Sequence, residues 1–286
     1  MEHIVNTGQA QAWNGPEGRH WAAHQDRWDA VNDGFNKLLL DAAGLAQDAQ
    51  VLDIGCGAGR TTRLAARLAP AGRAVGLDLS GPMLDRARAT ARDEGVANAE
   101  FLQGDAQVYP LSPDTYDAAI SRYGVMFFAD PSAAFANLGR ALRPHGRLAF
   151  VCPAEPEGNE WITAMTSLRD ILPVGDFGTP GAGMFSLSDP DRVTGILSGA
   201  GFADIQIKHV TAHGHWGEHA EDAAAFLLDS GPGRHLLDQV DADVQAQARS
   251  ALQDVLRLHE TEGGVALRST AWLVTACRQA ATPSRA

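Results

Sequence analysis

Three acidic residues stand at the ends of apolar runs, and the first leads straight into a glycine turn. Val51-Leu52-Asp53-Ile54 reads as a buried strand, followed at once by Gly55-Cys56-Gly57-Ala58-Gly59. Glycines there permit positive φ and remove the β-carbons that would keep a flat adenosine-containing molecule off the main chain. A helix over 61–68 would turn its free N–H groups toward such a molecule. Ala74-Val75-Gly76-Leu77-Asp78-Leu79 is a second short strand ending in an acid, where a carboxylate can accept from both ribose hydroxyls. Glu100-Phe101-Leu102-Gln103-Gly104-Asp105-Ala106 is a third. Any one such acid could simply cap the following helix. Three in succession are what a single crevice outside the carboxyl ends of a parallel sheet requires.

A nicotinamide or flavin turn wants glycine at its first, third and sixth positions, and counting from Gly55 the sixth is Arg60. The glycines fall instead as G-x-G-x-G with Asp53 two residues ahead, which resembles class I S-adenosylmethionine (SAM) methyltransferases. The G-D-A of Gly104-Asp105-Ala106 resembles that family's motif beside the adenine. Tyr116 to Ser121, with the segment Arg122 to Pro131, resembles the region after strand four in its small-molecule members, the ubiquinone/menaquinone C-methyltransferase-like group. Leu142-Arg143-Pro144-His145-Gly146-Arg147-Leu148 matches the family's L-[RK]-P-G-G-x-L turn, with His145 where relatives have glycine. The resemblance covers about Gln50 to Val151. It implies SAM as cofactor and S-adenosylhomocysteine as product. Asp53, Gly55, Cys56, Gly57 and Gly59 would surround the methionine portion, and Asp78 with Leu79 the ribose. Gly104, Asp105, Ala106 and Met83 would meet the adenine, with Ser121 after strand four completing the set.

The elements that must position these residues alternate strand with helix, which predicts an α/β fold. The expected architecture is a Rossmann-like, seven-stranded, mostly parallel sheet flanked by helices. Five segments follow: an N-terminal helical lid (1–45), the SAM-binding core (46–153), a substrate segment of loops, helices and a strand (154–212), a helical insertion (213–264), and the last strand with its tail (265–286). Trp21, His24, Trp28, Val31 and Phe35 recur at steps of three and four, which predicts one amphipathic helix from Gly18 to Leu40. That stripe packs on the sheet edge or, as the resemblance implies, closes over cofactor and substrate, with Trp13 just ahead of it. In the insertion, Leu237, Val240, Val244, Ala248, Leu252, Val255 and Leu256 form a second stripe. It would serve as a packed cap or as a homodimer surface. The tail after Gln279 is expected to fray.

Aromatic and methionine residues outside the cofactor motifs point to a hydrophobic, ring-containing small molecule. The candidates to contact it are Trp13, Trp21, Trp28, Tyr123, Met126, Trp161, Phe177, Phe185 and Trp216. Methyl transfer is an in-line displacement, so positioning and a dry pocket do most of the work. A hydroxyl or acidic carbon needs a base, and histidine titrates in the right range; His24, His213 and His215 are the candidates. The run His209, His213, His215, His219 also suggests a metal, but no carboxylate or cysteine ligand is evident beside it, so no metal is expected.

With 23 basic and 35 acidic residues the formal charge is −12, and no basic cluster interrupts it, which argues against a nucleic-acid substrate. The segment after strand four carries Ser121-Arg122-Tyr123 in place of the N/D-P-P-Y/F of enzymes that methylate nucleic-acid amines. Three isolated cysteines, a polar start and no bilayer-length apolar window predict a cytoplasmic protein with no membrane partner. Two alternatives stay open: an enzyme that uses the SAM cation without transferring methyl, as a cyclase or decarboxylase would, and a nicotinamide oxidoreductase. Pro153, where relatives have tryptophan, leaves the acceptor open, and O, N and C remain equally possible targets.

Overall fold

The computed structural model describes residues 4–279; the tail expected after Gln279 lies outside them. Four helices come first: α1 (Thr7–Asn14), α2 (Pro16–Ala23), α3 (Gln25–Asn32) and α4 (Asn36–Ala43). The alternating core follows as β1 (Gln50–Ile54), α5 (Arg60–Leu68), β2 (Arg73–Asp78), α6 (Gly81–Asp93), β3 (Ala99–Gln103), β4 (Tyr116–Arg122), α7 (Pro131–Ala141) and β5 (Leu142–Pro153). Beyond it lie α8 (Glu160–Thr166), α9 (Pro190–Gly199), β6 (Phe202–Gly217), α10 (Ala220–Asp229), α11 (Gly231–Leu237), α12 (Ala242–Leu256), β7 (Glu260–Thr261) and β8 (Gly264–Arg278).

One sheet runs in the order β3-β2-β1-β4-β5-β8-β6. The first five strands are parallel and β8 is antiparallel to both its neighbours, while the two-residue β7 pairs with β8 as an eighth strand. Helices cover both faces of a parallel sheet, so its inner strands are mostly apolar: Val51, Leu52 and Ile54 of β1 are all buried. The order reverses between β1 and β4, and the ligand crevice of such sheets opens there.

Two expectations change. The segment from Gly18 to Leu40 is not one helix. His24 leaves the helical region (φ −110°, ψ 29°) and separates α2 from α3, and a 3-10 turn at Asp33–Phe35 separates α3 from α4. At that turn Gly34 lies so close to β6 that an added β-carbon would stand 2.8 Å from the Ala212 side chain. The breaks wrap the segment around the sheet instead of letting it run past. The helical insertion also begins later than residue 213, because β6 pairs with β8 as far as Gly217. Strand alternation there places His213 and His215 on one face and Trp216 on the other.

The apolar stripe of α12 is buried within the chain. Ala248, Leu252 and Leu256 pack in one cluster with Leu227 and Leu228 of α10, Met165 of α8, Trp28 and Trp216. This is the packed-cap arrangement. At the β5 turn His145 adopts φ +65°, the left-handed region that glycine enters without steric cost.

Candidate active site

Around the glycine turn, Gly55, Gly57 and Gly59 all have positive φ, and each is crowded by protein. A β-carbon on Gly55 would stand 2.6 Å from Gly124 Cα, one on Gly57 2.7 Å from Met83 Cε, and one on Gly59 2.6 Å from the Phe101 ring. The glycines therefore let the β4 loop, α6 and β3 close on the turn as much as they clear space for a ligand. Ser121 ties the same junction by donating to Ile54 O (2.7 Å).

Asp53 lies wholly buried behind the turn, where Oδ2 accepts from the Thr61 and Thr62 hydroxyls, both at 2.6 Å. Its Oδ1 is buried without a partner. Burial pushes this carboxyl up to about 6, against the pull of the two threonines and Arg122. Asp78 accepts from Gly57 N through Oδ2 and from Ser80 N through Oδ1, both at 2.8 Å. Each oxygen keeps a lone pair for a further donor. Asp105 is more heavily engaged: Oδ2 accepts from Val5 N (3.1 Å) and Asn6 N (2.9 Å), and Oδ1 from Gln107 N (3.1 Å) and Gln107 Nε2 (3.0 Å).

The N-terminal helices are stitched over these strand ends. Ser80 Oγ donates to Trp13 O (2.6 Å), Gly81 N donates to Asn14 Oδ1 (3.0 Å), and Asn14 Nδ2 donates to Leu79 O (2.9 Å). Beneath them lies a cavity of about 540 Å³. Of the residues expected around a cofactor, Gly55, Cys56, Gly57, Asp78, Leu79, Met83, Gly104, Asp105 and Ala106 line it. Asp53, Gly59 and Ser121 lie outside its lining and brace the turn.

Five of the six tryptophans, Trp13, Trp21, Trp28, Trp161 and Trp216, line the same cavity. Their rings make a continuous row: Trp13 to Trp21 at 5.8 Å, Trp21 stacked on Trp28 at 3.9 Å, Trp28 to Trp216 at 6.1 Å, Trp216 to Trp161 at 5.9 Å. Tyr123, Met126 and Phe185 also line it, whereas Phe177 stands behind Trp161 with its ring 5.9 Å away. Tyr123 has φ +59°, and burial raises its phenol, so it stays protonated.

The three histidines expected as bases lie outside the cavity lining. His24 Nδ1 sits 3.0 Å from His20 O at the α2 break. His213 is exposed on β6, and His215 pairs with Glu218 at 3.5 Å, both on the strand face away from Trp216. His20, His24 and Asp229 bring ligand atoms within 4.8 Å of one another, but the Arg234 guanidinium already supplies that cluster's cation, facing His20 Nδ1 and Asp229. Sequence reasoning passed over Glu17, Asp29, Arg60 and Arg122, all of which line the cavity. Arg60 had entered only as the missing sixth glycine, and Glu17 looks from sequence like an ordinary first-turn acid of α2.

Residues 51–146 match the family described as "Methyltransferase domain". The chain is 32% identical over 137 residues to the uncharacterized methyltransferase YcgJ of Bacillus subtilis (46% of this chain, 53% of that protein). It is 33% identical over 121 residues to demethylmenaquinone methyltransferase of Lactococcus lactis (42% and 46%). The chain thus spans about half the length of these curated relatives. Among solved structures, phosphoethanolamine N-methyltransferase 2 of Haemonchus contortus, in complex with phosphomonomethylethanolamine and S-adenosylhomocysteine, superposes with a TM-score of 0.58 at 18% identity, over 97% of this chain and 61% of that one. Together with the sheet order and the glycine turn, these matches mark residues 51–146 as similar to S-adenosylmethionine-dependent methyltransferase domains.

Proposed function

We propose that the protein is a SAM-dependent methyltransferase acting on a hydrophobic, ring-containing small molecule in specialised, natural-product metabolism. One observation carries this reading: the glycine turn with Asp78 and a wall of five tryptophans line a single cavity. When bound, SAM supplies an electrophilic methyl carbon on a sulfonium. Asp78 would take the ribose hydroxyls on its free lone pairs, and Ala106 with Met83 would face the adenine. Arg60 and Arg122, beside the turn, would face the methionine carboxylate, and the turn amides with Thr61 the rest of that portion. Asp53 acts from behind, fixing the start of α5. Tryptophan faces both exclude water and favour a cation.

A quinone-ring substrate class is supported by the relative named demethylmenaquinone methyltransferase and by the aromatic wall. The acidic balance supports a small molecule over nucleic acid. Among the described residues no helix is long and apolar enough to cross a membrane. A cytoplasmic setting is part of the proposal, supported by three free thiols. The test is release of S-adenosylhomocysteine from purified protein given SAM and a panel of aromatic acceptors. SAM bound but never consumed with any of them would favour the reading in which the cation acts without methyl transfer.

A further inference from the structure

Resting on the methyltransferase reading, we infer that the tryptophan-lined half of the cavity is a subsite for an oxygenated aromatic acceptor, in which the Trp28 and Trp216 indole N–H groups hold the acceptor's oxygens and Glu17 takes the proton of the hydroxyl that is methylated. Trp28 and Trp216 are 9% and 4% exposed, both line the cavity, and the indole nitrogen of each is buried without a protein partner. A buried donor left unpaired costs free energy, and an acceptor oxygen removes that cost. Trp13 and Trp21, toward the other end of the row, differ: Trp13 Nε1 donates to Gln9 and Trp21 Nε1 donates to Glu17 Oε1, each at 2.8 Å.

Among the described carboxylates of the lining, Glu17 is the one that no other part of the site employs. Asp78 and Asp105 sit at the nucleoside end, and Asp29 lies between Arg122 and Arg63. One Glu17 oxygen accepts from Trp21, and the other lies where a β-carbon on Gly231 would come within 1.8 Å of it. Trp21 on its own helix and the Arg234 charge from α11 face it, and burial outweighs both to raise its carboxyl above its ordinary value, which makes the carboxylate a stronger base. An amine fits poorly, because two N–H donors would compete for its one lone pair.

The step balances. The hydroxyl oxygen forms the bond to the methyl carbon of SAM, the carbon–sulfur pair leaves on sulfur as S-adenosylhomocysteine, and the O–H proton passes to Glu17.

The test uses the full chain with dihydroxynaphthalenes, their dimethyl ethers and aminonaphthalenes as probes. Diols should be methylated, while ethers bind without reacting. Glu17→Gln keeps an oxygen for Trp21 and should lower kcat by roughly 10²- to 10⁴-fold with KM nearly unchanged, and Glu17→Asp should recover part of it. Trp28→Phe and Trp216→Phe should each weaken binding of diol and ether, read by calorimetry, by about five- to tenfold. Transfer to no diol, transfer to amines instead, a Glu17→Gln kcat within threefold of the parent, or unchanged binding in both phenylalanine variants overturns the inference. Absence of SAM binding by calorimetry would instead remove the reading beneath it.

Discussion

The indole rings of Trp21 and Trp28 lie face to face, 3.9 Å apart and 3° from parallel. Seven positions of a straight helix span about 10.5 Å, too far for such a stack. The break at His24 is what brings the rings together, and with them the two ends of the aromatic row. Trp28 is buried in the same cluster as α10 and α12, whereas Trp21 is half-buried at the cavity. Trp28→Ala should cost about 3–5 kcal/mol of stability. Trp21→Ala should cost far less while lowering turnover at least tenfold, as read by urea unfolding and by S-adenosylhomocysteine release. Equal losses of stability in the two variants would contradict this division.

Asp78 spans Gly57 N and Ser80 N and presents what remains of its lone pairs to the cavity. Asp78→Ala should weaken SAM binding by about 1–3 kcal/mol, measured by calorimetry. An unchanged affinity would remove Asp78 from the cofactor site.

Burial raises Asp53 from 3.8 to about 6. The folded chain therefore holds this proton more tightly than the unfolded chain. The stability it contributes is fully present below about pH 4 and is lost as pH rises through 6, on the order of 3 kcal/mol. Asp53→Asn keeps an oxygen for the threonine hydroxyls and escapes ionisation. Thermal unfolding of the ligand-free proteins should show the variant gaining on the parent between pH 4 and pH 7, and a gap that does not vary with pH would count against it.

Gly231 bears on Glu17 without touching the chemistry. Gly231→Ala would press its new β-carbon onto the Glu17 carboxylate, the free end of a flexible side chain, which can move aside. Its Tm should shift by no more than a few degrees, while transfer to dihydroxynaphthalenes falls at least tenfold because the base is displaced. Full activity in this variant would mean that the carboxylate position does not matter.

The four donors on Asp105 make a further case. Asp105→Ala frees Val5 N and Asn6 N, so amide exchange there should accelerate and SAM should dissociate faster in stopped-flow fluorescence. Protection at Asn6 identical to the parent would show that other contacts hold the segment.

The parallel half of the fold was legible because its signals are local. A strand buried on both faces needs an unbroken apolar run, and a glycine turn after Asp53 leaves few other readings. The acceptor half was not, because it depends on pairing across long separations. Trp216 meets Trp28 because β6 pairs with β8 as far as Gly217, beyond the strand expected before residue 213, and the histidine-rich stretch that carries it on reads from sequence as the start of the insertion. The kink at His24 was equally hidden, since the steps of three and four run through it undisturbed. Glu17 became visible only when its neighbours were seen to be indoles and a glycine.

Arg63 is 1% exposed, and its guanidinium donates to Ala58 O in the glycine turn at 2.8 Å and to Glu94 beyond α6 at 3.0 Å, with Asp29 of α3 at 3.9 Å. A buried cation stripped of one such partner is costly to leave in place. Fraying of the leading helices would therefore expose that debt inside the parallel core, and the two parts should melt in a single calorimetric transition.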